Sequence, residues 1–308
     1  MFIVNHRGFF FWVTGLLLVA SVAALVIIPP KLSIEFTGGS LIEVAYTGER
    51  PAHEENAARV EALIGDASVR ESGEKGLIVR THTLTPAEHD ALIGALSANG
   101  TYPLTELRFN SIGPSLGQEL ATKALYSILA VTLAIMLYIA WAFRKVSKPV
   151  PAWGYGIISV LMLAIDIIVP AGFFAVYAYF TGAQVDTLFV VALLALMGYC
   201  INDVIVIFDR VREHLKANID NKLDEPFETT VGKSITETLG RSINTSLTVA
   251  LALLAIVIFG SVSVRTFALV MLVGVVVGTF SSIARSAPLL IPVAAWAQKR
   301  AAGKAKKK

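Results

Sequence analysis

The chain has 308 residues, 55% of them hydrophobic and only 16% charged, against about 25% charged in a soluble domain. The charges cluster and leave long apolar runs between them, which excludes an ordinary soluble globular protein and places the chain in the membrane class. The net charge of +3 hides an asymmetry: residues 31–119 carry seven Lys/Arg against thirteen Asp/Glu, whereas the short loops and the tail Lys304-Ala305-Lys306-Lys307-Lys308 are basic. Such a tail reads as a solvated, membrane-flanking end rather than a nucleic-acid site.

A helix needs about 20 apolar residues to cross the hydrocarbon. The first such run is 9–28. It is longer than the core of a cleaved signal peptide and no small-x-small site follows it, so it is expected to remain as a membrane helix. Residues 29–122 are polar enough to form a separate domain. Within it, 41–46 alternates apolar and polar residues like a strand. Residues 51–64 have helical spacing through Ala57, Val60, Leu63 and Ile64, with Pro51 near the start. Residues 68–71 and 76–83 read as strands around a turn. Thr85 and Pro86 open a second helix as N-cap and first helical residue, expected to end at Asn99-Gly100. Residues 105–112 are the last strand. The order β-α-β-β-α-β predicts a small α+β ferredoxin-like domain. With one cysteine in the chain, Cys200, no intrachain disulfide braces it.

Five more apolar runs follow, at 123–143, 154–179, 186–208, 243–261 and 265–286. The third of the six spans contains Pro170 and is expected to kink or tilt. The sixth continues into 288–292, with a proline at each end, expected to bend along the surface. The fold class is thus a membrane α-helical bundle of six transmembrane helices plus one α+β domain. Basic residues fix the orientation. Asn5-His6-Arg7, the loop 144–148, the loop 209–241 and the tail 299–308 are Lys/Arg-rich, while 181–186 has no basic residue and 261–265 has one. Both termini are therefore expected in the cytoplasm, with 29–122 outside and 123–298 forming the rest of the bundle.

Ionisable groups inside the hydrocarbon carry the chemical information, since an Asp at mid-membrane costs about 2.5–3.5 kcal/mol. Asp203 lies six residues inside the rim residue Asp209, about 9 Å deep at 1.5 Å per residue. It is either a titrating carboxylate on an ion path or a hydrogen-bonded acid joining two helices. Arg241, Thr245 and Thr248 share one face of the fifth segment. Arg241 either reaches inward to Asp203 or extends to cytoplasmic water and lipid phosphate. Asp166 has no basic neighbour in its own run, which suggests a packing role or a second relay carboxylate. Gly274, Gly278 and Ser282 follow small-xxx-small spacing, which brings helices close together. The 29–122 domain carries no metal cluster, nucleophile arrangement or phosphate loop, and no cofactor or metal is expected.

Two stretches resemble the SecF family of the SecD/SecF protein-export complex, within the resistance-nodulation-division superfamily. One is Phe36-Thr37-Gly38-Gly39-Ser40, with Glu35 where the family usually has Asp. The other is Gly198-Tyr199-Cys200-Ile201-Asn202-Asp203 through Val206-Ile207-Phe208-Asp209-Arg210-Val211-Arg212-Glu213, with Cys200 and Val204 replacing Ser and Thr. Arg241-Ser242-Ile243-Asn244-Thr245-Ser246 also matches the start of the family's fifth helix, whereas Ile165 stands before Asp166 where the family tends to place His. The resemblance implies half of a twelve-helix unit completed by SecD, beside the SecYEG channel and YajC in the bacterial inner membrane. It implies use of the proton gradient, or sodium in some relatives, to draw unfolded preprotein outward after SecA has pushed it. Asp203 and Arg241 become the ion-path residues, working with a SecD carboxylate, and Asn202, Thr245, Thr248 and Asp166 become relay or support candidates. Three other readings stay open. One is an exporter of lipid or small molecules from the same superfamily. The second is an intramembrane aspartyl protease using Asp166 and Asp203, although neither a Y-D nor a G-x-G-D motif surrounds them. The third is a passive scaffold.

Overall fold

A computed structural model of the chain describes residues 2–144 and 149–305, with side chains for all of these except 262, 263 and 300–305. The basic positions 145–148 of the expected second loop, and 306–308 of the tail, lie outside the described residues. The chain divides into two compact units, Met1–Pro30 with Tyr126–Ala183 and Leu188–Lys308, and Lys31–Leu125 with Gln184–Thr187.

The helical unit starts with α1 (Phe2–Asn5) and α2 (Arg7–Ile27). The α/β unit follows with α3 (Ile34–Thr37), β1 (Gly39–Tyr46), α4 (His53–Ile64), β2 (Ser68–Ser72), β3 (Gly76–Thr81), α5 (Pro86–Leu96) and β4 (Leu104–Ile112). Helix α6 (Pro114–Ala142) leads back into the helical unit. There it is followed by α7 (Ala152–Thr181), α8 (Thr187–Asp220), α9 (Phe227–Phe259), α10 (Val262–Ser281), a π-helical turn (Ser282–Ser286) and α11 (Ala287–Ala305).

In the α/β unit the sheet order is β2-β3-β1-β4, antiparallel throughout, the ferredoxin-like arrangement read from the element order. Alternate residues of two central strands, Ile42, Val44 and Tyr46 on β1 with Leu77 and Val79 on β3, meet Val60 of α4 and Leu92 and Leu96 of α5 in one core. Each such side chain contributes about 1.5–3 kcal/mol by leaving water. Thr85 and Glu88 form a reciprocal capping box at the start of α5. The helix ends earlier than Asn99-Gly100. Ser97 is the C-cap, Ala98 and Asn99 turn left-handed at φ 47° and 54°, and Asn99 N–H donates to Gly94 O at 2.9 Å. This is a Schellman closure, whose left-handed residues precede the expected glycine.

The glycine pair before β1 has a steric cause. Gly38 and Gly39 have φ of +77° and +127°; a β-carbon would lie 2.7 Å from Pro114 Cα at Gly38 and 2.5 Å from Thr81 O at Gly39. Next to them, buried Ser40 accepts the Leu84 N–H at 2.9 Å and bonds Ser111 at 2.8 Å. The strip 184–187 belongs to the same unit. Ser33 N–H donates to Val185 O at 2.8 Å and Val185 N–H to Lys31 O at 2.9 Å. Glu35 accepts the Thr187 N–H, the first of α8, at 2.7 Å.

Among the described residues six helices are long and apolar enough to cross a membrane, the sixth continuing through the π turn. The apolar segments of α7 and α8 are at least half buried, while those of α2 and α6 bury few of their residues. The core joins Tyr155, Ile158, Met162, Met197, Ile201, Val204, Phe208 and Leu290, among others. Two local expectations change. Residues 209–241 are not a loop: α8 runs on to Asp220 and α9 begins at Phe227. The extension is laced by Arg210 with Glu213 and Glu237, Arg212 with Asp209, and His214 with Glu237, so charged residues there support helix rather than break it. Nor does 288–292 bend along a surface. It continues as α11 with Ala287, Leu290 and Ile291 in the core, Pro288 standing just after the π turn Ser282–Ser286.

Candidate functional site

Helix α8 places Cys200 and Asp203 at i, i+3, on one face, and both are buried. Asn202 points to the exposed side. Opposite them, α9 brings Ser242, also buried, against the Asp203 carboxylate. Arg241 is within electrostatic reach of Asp203, yet it is exposed and forms no direct ion pair with it among the described residues. Oδ2 of Asp203 has no hydrogen-bond partner among the described residues. Deeper along the same seam, Ser246 accepts from Tyr199 Oη at 2.9 Å and from Thr279 Oγ1 at 2.6 Å. A string of hydroxyls thus ties α8, α9 and α10 beside the acid.

The α9 face read from the sequence, Arg241, Thr245 and Thr248, is not the buried one. Thr245 donates to Arg241 O at 2.9 Å and Thr248 to Thr245 O at 2.8 Å, so both hydroxyls are engaged by their own helix. Thr248 and Arg241 are exposed and Thr245 half-buried. The inward face is Ser242 and Ser246. A step of one residue turns a helix by roughly 100°, enough to swap the faces. Sequence reasoning passed over both serines, although they stand in the quoted motif.

Asp166 of α7 does have a basic partner. Arg285 Nη2, from the π turn, lies 3.7 Å from Asp166 Oδ1, with side chains 3% and 2% exposed. The Cys200 thiol and the Ser281 hydroxyl lie near this carboxylate, but the Ser281 hydroxyl donates to Met162 Sδ at 3.6 Å and neither Asp166 oxygen has a hydrogen-bond partner among the described residues. The expectation of no basic neighbour failed because it looked along the third run only. The missed signal was a single arginine inside the sixth run, in itself as costly as a buried acid. Asp166 thus has a buried arginine 3.7 Å away, whereas Asp203 is buried with no cation in direct contact among the described residues.

Gly274 and Gly278 of α10 sit against α8: a β-carbon would come 2.3 Å from Leu196 Cδ1 at Gly274 and 2.3 Å from Cys200 Sγ at Gly278. Ser282 belongs to the π turn, is buried, and donates to Thr279 O at 3.0 Å. Among the described residues no group of three or more His, Cys, Asp or Glu side chains is placed to hold a metal ion. The arrangement offers one chemical capacity: a single buried acid, lined by hydroxyls, bordering an exposed polar face made by Asn202, Arg241, Asn244 and Thr248.

Comparison with known proteins agrees with the quoted motifs. The family model "Protein export membrane protein SecD/SecF, C-terminal" matches residues 94–296 and the "SecD/SecF GG Motif" matches 23–48. The protein translocase subunit SecF of Anaerolinea thermophila is 37% identical over 292 residues, covering 94% of this chain and 92% of the relative. That of Thermobaculum terrenum is 33% identical over 302 residues, with 94% and 92% covered. The fold is similar to a crystal structure of SecDF, a translocon-associated membrane protein from Thermus thermophilus, with a TM-score of 0.80 and 28% identity over 94% of this chain. A second SecDF structure, in the super-membrane-facing form, gives 0.67 and 29% over 99%. This chain spans only 38% and 40% of those two longer chains. It belongs to the SecF family of protein translocase subunits.

Proposed function

We propose that the chain works with SecD in the bacterial inner membrane, beside the SecYEG channel and YajC, and uses an ion gradient to promote export of unfolded preprotein. Both termini lie in the cytoplasm and the α/β unit in the periplasm, in keeping with the basic residues of the N-terminal end and the 209–241 segment. Asp203 is the ion-carrying acid and Arg241 its mobile counter-charge. The observation that supports this most is Asp203 itself: buried on a membrane helix, one oxygen unpartnered, with Arg241 near but not in contact. A carboxylate without a fixed cation is costly inside a membrane, and a cation that approaches and withdraws changes that cost.

The exposed polar face formed by Asn202, Arg241, Asn244 and Thr248 supports the partner assignment. Polar side chains at membrane depth face protein or water, not lipid. Covering them with SecD helices places the partner's carboxylate next to Asp203. One charge crossing the membrane is worth about 2.3 kcal/mol per 100 mV, roughly a fifty-fold bias on a two-state movement. The aspartyl-protease reading loses ground, because Asp166 is held by Arg285 and is not a free second acid.

The deciding experiment is export into inner-membrane vesicles with and without a proton gradient, comparing wild type with Asp203→Asn. Loss of gradient-dependent stimulation is expected, with membrane insertion and SecD association intact. Full stimulation in the variant removes Asp203 from the mechanism.

A further inference from the structure

Arg285 is a buried cation that the ion path above does not use. It sits in the π turn Ser282–Ser286, all of whose residues are buried, and a π turn re-aims side chains relative to an α-helix. Alone in the hydrocarbon, either Arg285 or Asp166 is an uncompensated charge. The two face each other at 3.7 Å, and neither Asp166 oxygen nor Arg285 Nε has a hydrogen-bond partner among the described residues. Their surroundings are close-packed. The Cys200 thiol and Ser281 hydroxyl lie near the carboxylate, and the Phe280 ring lies 5.8 Å from the guanidinium carbon. Cys200 is one turn before Asp203 on the same face of α8, and it is pressed by Gly278 of α10.

We propose that Arg285 is the fixed counter-charge of Asp166, and that the pair is an electroneutral brace that positions the Cys200–Asp203 face of α8 and carries no coupling ion. This rests on the reading of Asp203 as the ion-carrying acid and narrows it: one acid moves the ion and the other is held. Arg285 is a positioning residue. It ties the end of the sixth span to α7, and through the Asp166 carboxylate to the turn of α8 just before Asp203.

The test uses the full chain with its partner in membrane vesicles, as wild type, Asp166→Asn, Arg285→Met, the double variant Asp166→Asn/Arg285→Met, and Arg285→Lys. Melting temperature and gradient-driven stimulation of export are both read. Each single neutralisation leaves one buried charge alone and is expected to lower both. The double variant removes both charges and is expected to recover both, and Arg285→Lys to keep the stimulation that Arg285→Met loses. A relay role for Asp166 gives the opposite pattern: Asp166→Asn melts like wild type without stimulation, and the double variant folds but stays unstimulated. That result overturns the proposal. So do additive melting shifts in the cycle, or a double variant that fails to accumulate while a single variant does, since neither shows one loss relieving the other. Asp203→Asn is run alongside. If it keeps full stimulation, the coupling reading fails, while the melting cycle, which needs no gradient, still decides the brace.

Discussion

A methyl group at Gly278 has no room, because its carbon would lie 2.3 Å from Cys200 Sγ and 3.4 Å from Cys200 Cβ. The obstacle is therefore the sulfur alone. Gly278→Ala is expected to destabilise the helical unit by about 1–3 kcal/mol, the usual cost of overpacking, and Cys200→Ala in the same chain to restore most of it. Thermal melting of the four variants in detergent checks this; an equal loss in the double variant contradicts it. The two buried acids differ by their neighbours, not by their residue type. Asp166 faces a fixed guanidinium, while Asp203 faces Ser242 and a cation that stands off. For that reason Asp203→Asn is expected to silence gradient response, whereas replacing Asp166 is expected to act through stability.

At the level of elements, helix ends do much of the positioning. Glu35 accepts the first N–H of α8, an interaction the helix dipole favours for an acid at an N-terminus. The longer Glu in place of the family's usual Asp keeps that carboxylate. In the capping box of α5, the Thr85 N–H and then its hydroxyl hold the Glu88 carboxyl below its ordinary value. A depressed folded value means the contribution is complete above the usual glutamate range and is lost as pH falls through the lower, folded value. Protection of the amides at the start of α5, corrected for the intrinsic slowing of exchange in acid, is thus expected to fall as the pH drops below the usual glutamate range, and Thr85→Ala to lower it at neutral pH already. Identical pH profiles for wild type and Thr85→Ala contradict the assignment. The α8–α9 hairpin follows similar logic: the cross-helix pair Arg210 with Glu237, and Lys233 of α9 with Glu225 in the connection before it, extend membrane helices into a charged stretch.

On the scale of the whole molecule, the helical unit leaves polar side chains exposed in and beside its apolar spans. Leu125, Leu129 and Leu133 of α6 are exposed as lipid-facing residues are expected to be, but Asn202, Arg241 and Asn244 are exposed too. The first set suits hydrocarbon and the second does not. An Asn202→Cys probe in a Cys200→Ala background is expected to react with a water-soluble maleimide when the chain is made without SecD, and to be protected when SecD is co-produced. Equal labelling in both membranes places the partner elsewhere.

The amino-acid pattern alone determined the six spans, the β-α-β-β-α-β order and the two acids worth attention. Each depends on local quantities: run length against membrane thickness, strand and helix period, and the cost of a charge among apolar neighbours. The glycine pair was legible as a motif, but its reason was not, since Pro114 and Thr81 approach it from distant positions. Tertiary structure alone decided which face of α9 turns inward, because a one-residue step separates Arg241 from Ser242 and only packing against α8 chooses between them. It also decided that Asp166 has a partner. Residues 166 and 285 lie far apart in sequence, and an ion pair across helices is fixed by where the chain folds back, which no local period encodes.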